Sequence, residues 1–189
     1  MKWIIFTVTL AITVILFTVL LASSGTIKSL KQTLPGADKI QTMTITSSAF
    51  EHNHPMPSKY TCDGSNINPS LSFTQVPKEA ESLVLLVDDP DAVSGIWHHW
   101  IVYNMEPTVT GIPENAGTVP GKEGTTSFGT PGYGGPCPPS GKHRYFFKLL
   151  ALDIKLELPE GATYNEFQSA IENHIIDQAE LIGLYSRVN

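Results

Sequence analysis

Apolar and polar residues alternate along residues 40–47, IQTMTITS, which is the spacing of a half-buried β-strand. Residues 60–64, YTCDG, are a turn-rich stretch, followed by Asn68-Pro69 before Leu71-Ser72-Phe73. Residues 82–88, SLVLLVD, form a nearly continuous apolar run of strand length and predict a central strand buried on both faces. The run ends in carboxylates, with Asp88, Asp89 and Asp91 grouped around Pro90. After a glycine turn, residues 97–104, WHHWIVYN, are rich in aromatic and β-branched side chains and predict another strand. Residues 143–153, HRYFFKLLALD, predict a third strong one, whereas 106–124, with prolines at 107, 113 and 120, read as loop. One helix stands out near the end. Thr163 and Glu166 form a capping box, and Phe167, Ala170, Ile171 and His174 or Ile175 recur at helical spacing. Residues 181–188 then predict a short helix or an edge strand. Many strands with little helix imply a mostly β, largely antiparallel sandwich.

The amino-terminal pattern is different. Residues 3–22 are twenty consecutive apolar or uncharged positions, and no charge appears before Lys28 once Lys2 is passed. As a helix that stretch spans about 30 Å, the thickness of a bilayer's hydrocarbon core. A cleavable signal peptide has an apolar region of only about 7–15 residues. Residues 1–27 are therefore expected to be an uncleaved transmembrane signal anchor, with Ala22-Ser23-Ser24-Gly25 as the place where a signal peptide would be cut. Residues 28–39, which include Pro35-Gly36, read as a linker, and 40–189 as one domain. Lys28, Lys31 and Lys39 follow the span, which by the positive-inside tendency favours a cytoplasmic domain. Long domains translocate largely regardless of such charges, and a lone amino-terminal span with a polar linker is the plan of an exported, tethered domain. The expected location is thus membrane-anchored and extracytoplasmic, or secreted if the signal is cut. A net charge of −6 offers no basic footprint, so nucleic acid and anionic membrane surfaces are poor partners for the domain.

Composition changes the picture most over residues 129–147, GTPGYGGPCPPSGKHRYFF, which hold five of the fifteen glycines and four of the fourteen prolines. Glycine loses the most backbone entropy on folding and proline has a fixed φ and no N–H, so such a loop is costly to order. It stands directly before His143 and Arg144 and reads as one wall of a site. Asp89, Asp91 and a histidine of the Trp97 strand are the groups that could form the other wall. Neighbours on a strand point to opposite faces, so only one of His98 and His99 can enter a pocket, and periodicity does not choose between them. Imidazoles, carboxylates and glycine N–H groups suit a small anionic head group. The plainer alternative is that Asp89 and Asp91 cap a turn at Pro90 and the histidines are core residues. Spacings for a metal site, a P-loop or a GxSxG nucleophile are missing from the sequence. Cys137 could be a nucleophile beside His143. With Cys62 as the only other cysteine and export expected, a Cys62–Cys137 disulfide is the reading preferred.

Several ordered motifs together resemble the phosphatidylethanolamine-binding protein family, in particular its prokaryotic Raf-kinase-inhibitor-like branch. They are Asp89-Pro90-Asp91-Ala92, Trp97-His98-His99, and the stretch GPCPPSGKHRY at 135–145, with YTCDG at 60–64 and NINP at 66–69 upstream. The resemblance covers about residues 43–187. It implies a large antiparallel β-sandwich with few helices and a small anion pocket at one end. By matching position, Asp89, His99, His143 and Tyr145 would line that pocket, with Asp91, Trp97, Pro138 and Pro139 around it. His98 would point away, and Arg144 would serve structural pairing. Val93 departs from the proline many members have there, and Asn68 from the serine of NISP.

The expectation is a binding module without enzymatic activity, cofactor or metal. Its ligand would be a phosphate-like or carboxylate head group, such as that of a phospholipid. The alternative class is a protein-interaction module that inhibits a serine protease or a kinase. A hydrolase or lyase using His143 and Asp89 as acid and base lacks a recognisable nucleophile.

Overall fold

Every residue of one eight-residue strand, Ser82–Asp89, is buried, and the rest of the domain is arranged to cover its two faces. The structure, a computed structural model, describes residues 42–187. The span and linker expected over 1–27 and 28–39 lie outside the described residues. Among those residues no helix is long and apolar enough to cross a membrane.

The strands in chain order are β1 (Thr44–Thr46), β2 (His54–Pro55), β3 (Leu71–Thr74), β4 (Ser82–Asp89), β5 (Trp97–Met105), β6 (Gly111–Ile112), β7 (Lys122–Glu123), β8 (His143–Leu152) and β9 (Ile175–Tyr185). Among the described residues there is one α-helix, α1, at Tyr164–Ile171. A three-stranded sheet has the order β1-β3-β6 and a six-stranded sheet the order β2-β9-β8-β4-β5-β7. All pairings are antiparallel except β2 with β9. This is the predicted mostly β sandwich. The short strands β6 and β7 lie within 106–124, which periodicity could not distinguish from loop because each is only two residues long.

Alternation along β4 divides its side chains between two cores. Leu83, Leu85 and Val87 join Phe73 and Ile112 of the small sheet and Phe147 of β8 between the sheets. Val84 and Leu86 face the other way, onto Phe167 and Ile171 of α1. Each such side chain, fully buried, contributes about 1.5–3 kcal/mol of transfer free energy. The helix begins as its capping box predicts, with Glu166 N–H donating to Thr163 Oγ1 at 3.4 Å and Thr163 N–H to Glu166 Oε2 at 2.8 Å.

The helical spacing that continues to His174 or Ile175 is not used. Helix α1 stops at Ile171, Asn173 takes a left-handed φ of 65°, and residues 175–185 form an eleven-residue strand. It pairs with β8 from Ile175↔Leu152 to Tyr185↔His143, where the sequence suggested only a short terminal element. Asparagine tolerates the left-handed conformation that breaks a helix, and from there the chain adopts the period of two.

Two ties fix the end of the large sheet at which β4 finishes and β5 and β8 begin. Cys62 and Cys137 form the expected disulfide, with Cα atoms 5.4 Å apart and a sequence separation of 75. Arg144 grips Asp91 through Nε (2.9 Å) and Nη2 (2.7 Å), while its own N–H donates to Asp91 Oδ2 at 3.0 Å. Arg144 lowers the Asp91 pKa to about 2, chiefly through these side-chain hydrogen bonds.

Replacing both cysteines by serine should lower unfolding free energy by about 4 kcal/mol from loop-closure entropy, read by urea denaturation. Arg144→Ala should cost about 1 kcal/mol, because the ion pair is partly exposed. The stability that ionised Asp91 contributes is complete above the ordinary carboxylate value of about 3.9 and is lost as pH falls toward about 2. Thermal unfolding across that window should therefore show a shallower acid limb in Arg144→Ala than in the wild type.

Candidate functional site

Strand pairing decides which histidine faces which way. Along β4 and β5 the register runs Leu86↔Ile101 and Val87↔Trp100, then shifts so that Asp88 pairs with His98 and Asp89 with Trp97. His99 is the extra residue of this β-bulge, with no β4 partner. Without it, Trp100 facing the inter-sheet core would place His98 on that side and His99 on the other. The bulge instead lets His99 and Trp100 share the inter-sheet side and turns His98 to the helix side.

On the helix side Asp88 is 2% exposed and takes two partners, His98 Nδ1 at 2.7 Å and Lys148 Nζ at 3.0 Å. The His98 ring stacks on Tyr164 of α1 with centroids 3.5 Å apart. His98 is thus engaged in holding the helix to the sheet.

On the inter-sheet side Asp89 (4% exposed) binds His143, with Nδ1 to Oδ2 at 2.8 Å. Alternation along β8 places His143, Tyr145 and Phe147 on this face and Arg144 and Lys148 on the opposite one, which separates the adjacent His143 and Arg144. His99 Nδ1 donates to the Gly134 carbonyl at 2.6 Å, and its ring meets Tyr145 and Phe128 edge-on at 5.2 and 5.5 Å.

These groups surround a cavity of about 520 Å³. Six of the residues expected at the site line it, namely Asp89, Trp97, His99, Pro138, Pro139 and His143. Tyr145 is fully buried beneath the floor, between the two histidines. Asp91 does not line the cavity. Its carboxylate is occupied by Arg144 in a neighbouring groove that shares the His143 wall. The cavity also includes Ala92, Val93, Ser94 and Phe128, which the sequence reading did not select. The first three follow directly after the paired carboxylates, and that adjacency was the available signal. Phe128 had none, since it lies in an irregular stretch and reaches the site by packing edge-on against Trp97 and His99, each at 5.5 Å.

The glycine-proline wall is held against the turn at residues 60–66. Cys62 N–H donates to the Pro136 carbonyl at 3.1 Å, Tyr133 Oη to the Tyr60 carbonyl at 2.8 Å and Gly135 N–H to Asn66 Oδ1 at 2.8 Å. A Cβ at position 135 would lie 2.4 Å from the Tyr60 oxygen, so only glycine permits the approach.

Burial pushes the His99 imidazole below its ordinary pKa, against the opposing pull of the Gly134 carbonyl and the Asp89 and Asp88 carboxylates. Burial also raises Tyr145, with the Asp89 charge adding to it. The Tyr145 hydroxyl is near Asp89, yet it is the one buried side-chain polar atom among the described residues without a hydrogen-bond partner. The arrangement offers a ligand a carboxylate and two imidazole rings, in a partly apolar enclosure.

The family model described as phosphatidylethanolamine-binding protein matches residues 46–186. A protein of Methanothermobacter thermautotrophicus, designated UPF0098, is 50% identical over 150 residues, covering 77% of this chain and 99% of its own. A UPF0098 protein of Chlamydia trachomatis is 46% identical over the same length. Among solved structures, a phosphatidylethanolamine-binding protein homologue from Chlamydia trachomatis superposes with a TM-score of 0.74 at 45% identity, covering 78% of this chain and 99% of that one. YbcL of E. coli superposes with a TM-score of 0.73 at 28% identity, covering 78% and 100%. With a family match from β1 to the end of β9 and relatives of this identity along their whole length, the chain belongs to the phosphatidylethanolamine-binding protein family.

Proposed function

We propose that this chain is a membrane-tethered, non-enzymatic binding module whose cavity takes a small anionic head group, phosphate-like or carboxylate, such as a phospholipid carries. The observation that carries the reading is the buried Asp89–His143 pair in the cavity wall. Asp89 accepts the Nδ1–H of His143, which leaves Nε2 as the ring atom for a ligand, and in the imidazolium form Nε2–H donates to an anion. A ligand oxygen reaching the floor would also give the Tyr145 hydroxyl the partner it lacks. Cys137, the one nucleophile expected near His143, is consumed by its disulfide, which favours binding over covalent catalysis. The tether in this reading is residues 3–22, and the domain is extracytoplasmic, which the disulfide favours.

A second reading, a surface that inhibits a protease or kinase, draws on the apolar rim of the cavity. Val93 is 91% exposed and Phe128 47%, and two such side chains lining one cavity favour contact with an apolar partner surface.

Calorimetric titration with phosphate and with phosphoethanolamine tests the first reading. His99→Ala combined with His143→Ala should weaken binding by about tenfold or more, the worth of hydrogen bonds to a charged group. Unchanged affinity in the double variant removes the pocket reading. For the second, the wild type should inhibit a secreted serine protease at micromolar concentration and Val93→Asp should not. Lack of inhibition by the wild type across several such proteases counts against it.

A further inference from the structure

Hydrogen bonds hold the glycine-proline wall only as far as Pro136. Tyr133, Gly135 and Pro136 are bonded to the 60–66 turn, and Gly134 is bonded to the backbone and the ring of His99. The next fixed residue is His143, bonded to Asp89. Between these points residues 137–142 make no hydrogen bond to any described residue, and Pro138 and Pro139 have no N–H with which to make one. Yet this is a part of the wall that meets the ligand space, since Cys137, Pro138 and Pro139 line the cavity. What ties it down is the burial of Pro138 and the Cys62–Cys137 disulfide. Apolar packing has no direction, so the disulfide is the tie that fixes where the segment lies.

The other end of the disulfide is anchored independently. Asp63, the neighbour of Cys62, accepts from Tyr185 Oη at 2.7 Å and from Arg187 Nε at 3.1 Å. Breaking the S–S bond therefore leaves the turn in place and frees the wall. Neither cysteine belongs to a hydrophobic core, so reduction leaves both cores packed. Both cysteines are exposed, where a reductant can approach them.

We propose that the Cys62–Cys137 disulfide is a redox gate on the cavity: formed, it keeps the wall ordered and the head group binds; reduced, residues 137–142 lose their fixed position and the head group binds weakly. The gate rests on the anion-pocket reading. Its reductant is a dithiol. One thiolate attacks a sulfur of the pair to give a mixed disulfide, and the second thiol of the reductant then displaces the protein sulfur. Two electrons and two protons have passed to Cys62 and Cys137, leaving two protein thiols and the reductant as an intramolecular disulfide. Binding to the reduced form includes the cost of ordering the segment again, which the oxidised form has already met. The linkage is reciprocal, so a bound head group makes the disulfide harder to reduce by the same factor by which reduction weakens binding.

Calorimetric titration of the full chain in detergent with phosphoethanolamine, before and after treatment with dithiothreitol, tests this. Dithiothreitol is uncharged and does not compete for an anion site. Reduction should weaken binding by about tenfold or more, with the β signature in circular dichroism retained, and reoxidation should restore it. Cys62→Ser combined with Cys137→Ser should bind as the reduced wild type does, with or without dithiothreitol. Without any ligand, NMR order parameters of the backbone at 137 and 140–142 should fall on reduction from about 0.85 to below about 0.6, while those of β4 and β8 hold. Equal affinity of the oxidised and reduced forms overturns the gate and leaves the anion pocket intact. Unchanged order parameters at 137–142, or loss of the β signature on reduction, overturns it as well, the second because the disulfide is then a support of the whole fold. If the oxidised protein binds no phosphoethanolamine, the anion-pocket reading itself fails and the gate with it.

Discussion

Two aspartates in succession on a strand covered on both faces must leave in opposite directions, and each is buried where it arrives. Asp88 and Asp89 at the end of β4 are in that position, at 2% and 4% exposure. A buried carboxylate without partners costs several kcal/mol, so each side of the sheet has to supply a hydrogen-bonding cation or imidazole. The helix side supplies His98 and Lys148. The inter-sheet side supplies His143 and the N–H of Asp91. The two clusters share a chemistry and differ in surroundings. One is closed over by Tyr164, and the other borders a cavity.

That difference depends on the bulge at His99. It adds one residue to β5 at the position where the sheet passes from packed core to open end, and so places a third polar side chain on the cavity side without removing Trp100 from the core. The glycine-proline wall then closes on the same end. Its attachment to the 60–66 turn by a disulfide and three hydrogen bonds holds Gly134 where its carbonyl can orient His99. A loop of this composition would otherwise sample many conformations. The wall is therefore both cover and support for the site.

Much of this was legible in the chain. The apolar run of β4, the aromatic start of β5, the capping box of α1 and the density of glycine and proline before His143 are local patterns, and local patterns survive without tertiary context. The resemblance to a family by ordered motifs added the grouping of Asp89, His99 and His143. What failed failed for identifiable reasons. The helical spacing beyond Ile171 lost to a left-handed Asn173, and Phe128 was missed because nothing in its neighbours marks an edge-on contact made across the fold. Asp91 was expected near the ligand and is instead committed to Arg144.

The sequence alone determined the strands, the double burial of β4, the cysteine pair and the existence of a costly loop beside a histidine, because side-chain period and backbone restriction are properties of neighbouring residues. Only the tertiary structure decided which polar groups share a space. Facing on a strand follows from register with its partner, and a one-residue bulge reverses every face beyond it. The choice between His98 and His99 and the separation of His143 from Arg144 both follow from pairings between residues far apart in the chain, which no local pattern encodes.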